Sequence, residues 1–90
     1  MKISAVIIAF NEENKIAEAI ESVKWADEIL VVDSQSIDRT REIADRLGAR
    51  VLLNDWQGFS KQKQFAVDCA AHEWIFSLDA DERVSDQLKN

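Results

Sequence analysis

The feature that most constrains this chain is an alternation of short apolar runs with segments of helical periodicity. The apolar runs cover residues 3–10, 29–32, 51–53 and 74–78. Short runs that are rich in Val and Ile are typical of strands buried on both faces of a parallel sheet. Between the runs, apolar residues recur at helical spacing within residues 16–23, 43–47 and 65–69. The sequence therefore predicts the element order β-α-β-α-β-α-β.

Parallel strands joined by helices form right-handed crossovers, so this order predicts a Rossmann-like α/β sheet with strand order 3-2-1-4. In such sheets ligands bind beyond the carboxyl ends of the strands, where the chain reverses between the first and fourth strands. The segments that follow those strands and the second strand are residues 9–12, 33–36 and 79–82, and each carries a carboxylate. We therefore expect the functional site at this edge of the sheet.

Three residues carry helix-boundary signals. Asn11 is predicted to cap the first helix and Asp38 the second, because their side chains can accept hydrogen bonds from N–H groups in a first helical turn. Gly48 is predicted to end the second helix, since glycine tolerates the left-handed backbone found at helix C-termini.

Length and charge limit the class of protein. A chain of 90 residues is expected to form a single domain over residues 1–90. The net charge of −6 argues against a nucleic-acid partner. The single cysteine, Cys69, cannot form an internal disulfide, so a cytoplasmic location is expected. The first apolar run is too short to span a membrane.

Two carboxylates, Asp79 and Asp81, stand one residue apart at the end of the fourth apolar run. They are candidate ligands for Mg²⁺ or Mn²⁺, because hard divalent cations prefer oxygen ligands. Such a cation could also bridge an acidic protein to a diphosphate by reversing the local field. The alternative is that the pair caps a following turn, which is a common role for this spacing.

Other candidate binding residues have equally plausible structural roles. Asp33 ends an apolar strand and could accept hydrogen bonds from a base or ribose, or it could form an Asx turn with the Ser residues that follow. Glu12 could serve a ligand or simply complement the helix dipole. Lys61 and Lys63, at the start of the third helix, could meet a phosphate or remain solvated surface lysines.

Three stretches together resemble the family 2 glycosyltransferases with the GT-A fold: VIIAFNEE at 6–13, VVDSQSIDRT at 31–40 and LDADE at 78–82. KWADEI at 24–29 and WQGFSKQK at 56–63 look more narrowly like bacterial lipopolysaccharide core glycosyltransferases of the β-1,4-glucosyltransferase type. The resemblance covers nearly the whole chain. It implies inverting transfer of a sugar from a nucleoside diphosphate sugar, usually a UDP-sugar, to an acceptor hydroxyl.

The resemblance also implies roles for individual residues. Phe10 and Glu12 would line the nucleotide pocket, Asp33 would hold the uracil or ribose, and Asp79 would contact ribose or donor sugar. Asp81 would ligate the diphosphate-bound Mg²⁺ or Mn²⁺, with Asp79 beside it. The full set expected at the nucleotide-sugar site is Ala9, Phe10, Glu12, Asp33, Lys63, Asp79 and Asp81. Ser34 and Gln35 depart from the family pattern, which often has a second acid and a Gly there.

Members of this family carry a second half that binds the acceptor and supplies the general base. We therefore expect the chain to be the N-terminal, donor-binding half of a GT-A fold, with no catalytic residue of its own and negligible transfer activity. A saccharide or lipid-linked acceptor would be used in the full-length protein, which could sit peripherally at the inner face of a membrane. An exposed sheet edge beside the fourth strand invites homodimerisation.

Two other classes remain open from the sequence. Acidic residues at the ends of parallel strands also describe Mg²⁺-dependent phosphoryl-transfer or phospho-receiver domains, in which Asp33 would accept the phosphoryl group. A non-catalytic nucleotide-binding or scaffold fragment is the third possibility.

Overall fold

The computed structural model describes residues 1–79 and has the predicted order of elements. The elements are β1 (Ile3–Ala9), α1 (Ile16–Ser22), β2 (Glu28–Asp33), α2 (Thr40–Arg46), β3 (Arg50–Leu53), α3 (Phe59–Cys69) and β4 (Trp74–Asp79). All strand pairs are parallel, and the strand order is β3-β2-β1-β4. The predicted fold class and strand order are therefore confirmed. None of the helices within residues 1–79 has the length and apolar character needed to cross a membrane.

The core lies on both faces of β1, which is the most deeply buried strand. On one face Ile7 packs with Ile16 and Ile20 of α1. On the other face Val6 packs with Leu30 of β2 and with α3. Helices therefore cover both faces of the sheet, which explains why the β1 run is apolar at nearly every position. The rigid centre of the sheet fixes where the strand ends lie.

The Glu28 carboxylate joins several segments at the opposite, amino-terminal edge of the sheet. Glu28 accepts hydrogen bonds from the Ser4 hydroxyl at 2.7 Å and the Ala71 N–H at 2.9 Å, and it lies 3.5 Å from the Arg50 guanidinium. Burial raises the pKa of Glu28, but the hydrogen bonds from Ala71 and Ser4 and the charge of Arg50 outweigh it, so the pKa lies below its ordinary 4.5. This carboxylate ties the segment before β4 to β1 and β2.

The helix-boundary predictions have mixed outcomes. Gly48 has φ of 92° and its N–H donates to the Asp45 carbonyl, as expected for a residue that ends α2. Asp38 accepts the N–H of Thr40, the first residue of α2, although Arg39 is the N-cap residue. The prediction for Asn11 is wrong, because α1 has Lys15 as its N-cap. A turn in which Lys15 donates to the Glu12 carbonyl separates Asn11 from the helix.

Candidate functional site

The carboxyl ends of β1, β2 and β4 meet at one edge of the sheet. The register pairs Ala9 with Asp33 across β1 and β2, and Ile8 with Asp79 across β1 and β4. Ala9 and Asp33 are buried, and Asp79 is half-buried at the end of its strand. The structure therefore brings together three of the predicted site residues at the point where the strand order reverses.

The loop after β1 is bound directly to the loop after β2. The Asn11 N–H donates to the Ser36 hydroxyl at 2.8 Å, and the Asn11 side-chain oxygen accepts the Ile37 N–H at 2.9 Å. Asn11 has φ of 51°, in the left-handed region that Asn tolerates better than most residues. Its real role is to join two loops of the site, which replaces the predicted role as a helix cap.

A second pair of contacts extends the same junction. The Glu12 N–H donates to the Thr40 hydroxyl at 2.9 Å, and the Glu13 N–H donates to the Asp38 carboxylate at 3.2 Å. Burial raises the pKa of Asp38, but hydrogen bonds from Thr40 and Glu13 dominate and hold it below its ordinary 3.8. The Asp38 carboxylate therefore stays charged at neutral pH and keeps the two loops in contact.

Asp33 is fully buried, and its carboxylate shapes the loop after β2. One oxygen accepts the Ser36 N–H at 2.7 Å, and the other accepts the Ser36 hydroxyl. The Arg41 guanidinium lies 3.7 Å from the same carboxylate. The Asp33 side chain therefore satisfies a backbone N–H of its own loop, as the turn interpretation predicts, although the bond spans three residues and not the two of an Asx turn. Contact of Asp33 with a ligand stays a prediction. A phosphoryl acceptor must be reached by its donor, so the phospho-receiver alternative does not fit this buried side chain.

The other predicted residues occupy different positions around this edge. Phe10 follows β1 directly and is exposed, and Glu12 is half-buried in the loop that follows. Lys63 lies on the exposed side of α3, and among residues 1–79 no hydrogen bond connects it to the loops after β1 and β2. Asp81 lies outside the described residues. The structure therefore groups Ala9, Phe10, Glu12, Asp33 and Asp79, and it leaves Lys63 apart from them.

Sequence reasoning missed a buried polar residue, Gln62 of α3. Its side-chain amide donates to the Ser34 hydroxyl and accepts the side-chain N–H of Asn54, both at 2.8 Å. The sequence contained a signal for it, because Gln62 falls four residues before Ala66 on the helix face that packs against the sheet. A polar residue on such a face indicates a specific buried hydrogen bond.

The two carboxylates predicted to hold a divalent cation are of a suitable ligand type, but only Asp79 lies within residues 1–79. Asp79 provides carboxylate oxygens, the ligands that Mg²⁺ and Mn²⁺ prefer. Within residues 1–79 there is no group of three or more His, Cys, Asp or Glu side chains that could hold a metal. The ligation of Mg²⁺ or Mn²⁺ by Asp79 and Asp81 therefore stays a prediction.

The matching family model, described as glycosyl transferase family 2, spans residues 4–89. This match covers almost the entire chain, including all three stretches that carry the predicted site. The chain belongs to glycosyl transferase family 2. The fold and the convergence of its strand ends agree with this assignment.

Curated relatives of this family 2 chain are substantially longer than it is. An uncharacterized glycosyltransferase of Rickettsia conorii is 47% identical over 90 residues, which is 99% of this chain and 32% of the relative. The lipopolysaccharide core biosynthesis glycosyltransferase LpsC of Rhizobium meliloti is 36% identical over 94 residues, covering 99% of this chain and 35% of LpsC. The chain thus spans about a third of the length of these relatives.

A solved structure shows the same fold. It is glucosyl-3-phosphoglycerate synthase of Mycobacterium tuberculosis, in complex with Mn²⁺, UDP and glucosyl-3-phosphoglycerate. The TM-score is 0.79 and the identity 26%, over 91% of this chain and 35% of the synthase. The predicted relation of this four-stranded parallel sheet to the GT-A fold is therefore confirmed.

Proposed function

We propose that this chain is the donor-binding part of an inverting glycosyltransferase and that it binds a nucleoside diphosphate sugar, specifically a UDP-sugar. The observation that carries the proposal is the hydrogen-bonded junction of the loops after β1 and β2, beside the end of β4. A donor site must hold base, ribose and diphosphate at once, so its walls have to be fixed relative to one another. The UDP and Mn²⁺ bound to the Mycobacterium tuberculosis synthase support this choice of ligand.

The side chains at this edge suit the parts of such a donor. Phe10 is 55% exposed next to β1 and can contact the nucleotide with its ring. Ala9 and Glu12 flank it in the chain, and Asp33 and Ser34 lie beside Ala9 at the end of the neighbouring strand β2. Asp79, at the end of β4, would contact ribose or donor sugar. Lys63 lies on α3, apart from these residues, and would contact a phosphate from that helix.

Asp81, with Asp79 beside it, would hold Mg²⁺ or Mn²⁺ on the diphosphate. When bound, the cation supplies positive charge that stabilises the departing diphosphate. The carboxylates of the chain would hold this cation, whose positive charge would offset the repulsion between the acidic protein and the diphosphate.

The remaining parts of the reaction are assigned to the portion of the longer relatives that this chain does not match. A general base there would activate an acceptor hydroxyl, and the acceptor would be a saccharide or a lipid-linked saccharide of the cell surface, such as lipopolysaccharide core. LpsC, named for lipopolysaccharide core biosynthesis, supports this choice. The chain alone is then expected to bind donor with negligible transfer, and metal-dependent turnover by these 90 residues would contradict that expectation.

Location and assembly complete the proposal. The single cysteine, Cys69, suits a reducing compartment, so we assign the protein to the cytoplasm, with peripheral contact at the inner face of a membrane if the acceptor is lipid-linked. The edge of the sheet at β4 could pair with a second copy of the chain. Light scattering over a range of concentrations tests this homodimer, and a monomer at the highest concentration would contradict it.

An amide NMR titration with UDP and Mg²⁺ tests the donor site. We expect shifts at residues 9–12, 33–36 and 79–81, and weaker binding without Mg²⁺ or in Asp81→Asn. Asp45→Asn is the matched control, because Asp45 is an exposed carboxylate on α2. It should bind UDP as the wild type does.

Two outcomes would count against the proposal. A wild-type chain that shows no shifts at millimolar UDP would indicate a scaffold fragment. Equal weakening by Asp81→Asn and Asp45→Asn would show that only net charge matters, and it would remove Asp81 from the site.

A further inference from the structure

Gln62 has a fully buried side-chain amide that connects α3 to the loops after β2 and β3. Its Nε2 donates to the Ser34 hydroxyl at 2.8 Å and to the Asn54 carbonyl at 3.3 Å. Its Oε1 accepts a hydrogen bond from Nδ2 of Asn54 at 2.8 Å. Both the donor and the acceptor end of this amide are therefore satisfied without water.

The network continues to the ends of the central strands. The Ser34 N–H donates to the Ala9 carbonyl, and the Asn54 N–H donates to the Asp33 carbonyl, both at 3.0 Å. Hydrogen bonds therefore run from the end of β1 through the loops after β2 and β3 to α3. An apolar side chain at position 62 would pack α3 against the sheet equally well, and burying an amide has a desolvation cost. The polar side chain is thus explained by the loops that it holds.

The direction of the hydrogen bond between Gln62 and Ser34 determines whether the Ser34 hydroxyl can donate to a ligand. A serine hydroxyl has one hydrogen and two lone pairs. Because Gln62 donates to Oγ of Ser34, the hydroxyl hydrogen must point away from Gln62. Ser34 directly follows β2 at the edge where the donor is expected to bind. Ser34 is 8% exposed, and its hydroxyl hydrogen is available to an acceptor other than Gln62.

We propose that Gln62 is a positioning residue that sets the Ser34 hydroxyl to donate to an oxygen acceptor of the bound nucleotide. This inference rests on the proposed function of the site. The acceptor is a nucleoside oxygen or a diphosphate oxygen, which share the same hydrogen-bonding chemistry. Asn54 has a supporting role, because its two bonds with Gln62 keep the loop after β3 against this network.

The experiment compares Ser34→Ala, Gln62→Met and the double variant by amide NMR titration with UDP and Mg²⁺. Each single variant should weaken UDP binding by roughly 3- to 10-fold, the equivalent of one neutral hydrogen bond. The double variant should lose no more than the larger single loss, since both changes remove the same contact. Titration with uridine and with pyrophosphate then shows which oxygen is the acceptor, as only one of the two should respond to Ser34→Ala.

Gln64→Met is the matched control. Gln64 is the same residue type on the same helix, but it is exposed and bonded to Asp68 at 2.8 Å. Its substitution should leave UDP affinity within about twofold of the wild type. A loss as large as that of Gln62→Met would overturn the assignment, because the effect would then come from α3 in general.

Other outcomes also overturn the proposal. If Gln62→Met lowers the melting temperature without changing UDP affinity, Gln62 has only a structural role. If the losses of the two single variants add, Gln62 does not act through Ser34. Should Gln62→Met fail to fold, the side-chain amide signals of wild-type Gln62 decide the question, because they must shift when UDP binds and in Ser34→Ala. A wild-type chain that does not bind UDP contradicts the proposed function itself, whereas binding with an unmoved Gln62 amide contradicts this inference alone.

Discussion

Asn11 provides a sharp test of how the site is built, because two substitutions separate the contribution of its side-chain bond from that of its backbone conformation. Its backbone is left-handed at φ of 51°, and its side chain accepts the Ile37 N–H at 2.9 Å. Asn11→Ala removes the side-chain bond and also puts alanine, which disfavours the left-handed conformation, at this position. Asn11→Gly removes the same bond but adopts the left-handed backbone freely.

The structure allows the two costs to be separated. Loss of one hydrogen bond between the loops corresponds to roughly 0.5–1.5 kcal/mol of unfolding free energy. Alanine in the left-handed region adds roughly 1–2 kcal/mol. Asn11→Ala should therefore destabilise the chain by about 2 kcal/mol and Asn11→Gly by about 1 kcal/mol. Both variants release the loop after β1 from Ile37, so both should also bind UDP more weakly.

Urea unfolding measures the difference between the two variants. With a slope of roughly 1 kcal/mol per molar urea for a small domain, their midpoints should differ by about 1 M. Equal stability of the alanine and glycine variants would refute the claim that the backbone conformation at Asn11 matters. UDP affinity equal to that of the wild type in both variants would refute the claim that this junction shapes the site.

Three further predictions concern stability. Folding lowers the pKa of Glu28, so its contribution to stability is present above its ordinary pKa of 4.5 and is lost as the pH falls through the lower, folded value. Glu28→Gln should therefore flatten the fall in stability on the acid side of that pKa in acid titrations of urea midpoints, and an unchanged fall would contradict this. Gln35→Gly should leave the urea midpoint unchanged or raise it, because the Gln35 φ of 61° favours glycine and the lost hydrogen bond to Asp55 is exposed. A loss of unfolding free energy above about 1 kcal/mol would contradict this. Ile20→Ala, in the buried core, should cost about 2–5 kcal/mol in the same assay, and a cost below about 1 kcal/mol would contradict its placement.

The sequence alone determined the order of the elements and the edge of the sheet at which Ala9, Asp33 and Asp79 meet. Short apolar runs separated by helical periodicity lead to parallel strands, because only strands buried on both faces need apolar residues at nearly every position. Right-handed crossovers then limit the strand order, and that order fixes where the chain reverses. Family 2 membership was also readable, because the stretches around Asn11, Asp33 and Asp79 resemble those of family 2 glycosyltransferases, and the family model matches residues 4–89.

The tertiary structure decided what individual side chains do at that edge. The sequence left Asp33 open between ligand and turn, misassigned Asn11 as a helix cap and gave Gln62 no role. The reason is physical: Asn11 meets Ser36 across 25 residues, and Gln62 meets Ser34 across 28. Local spacing reports the period of a helix or strand, but it carries no record of which polar groups become neighbours when loops from different strands are brought together. Those partners, and the direction in which each hydrogen bond is donated, exist only once the sheet has formed.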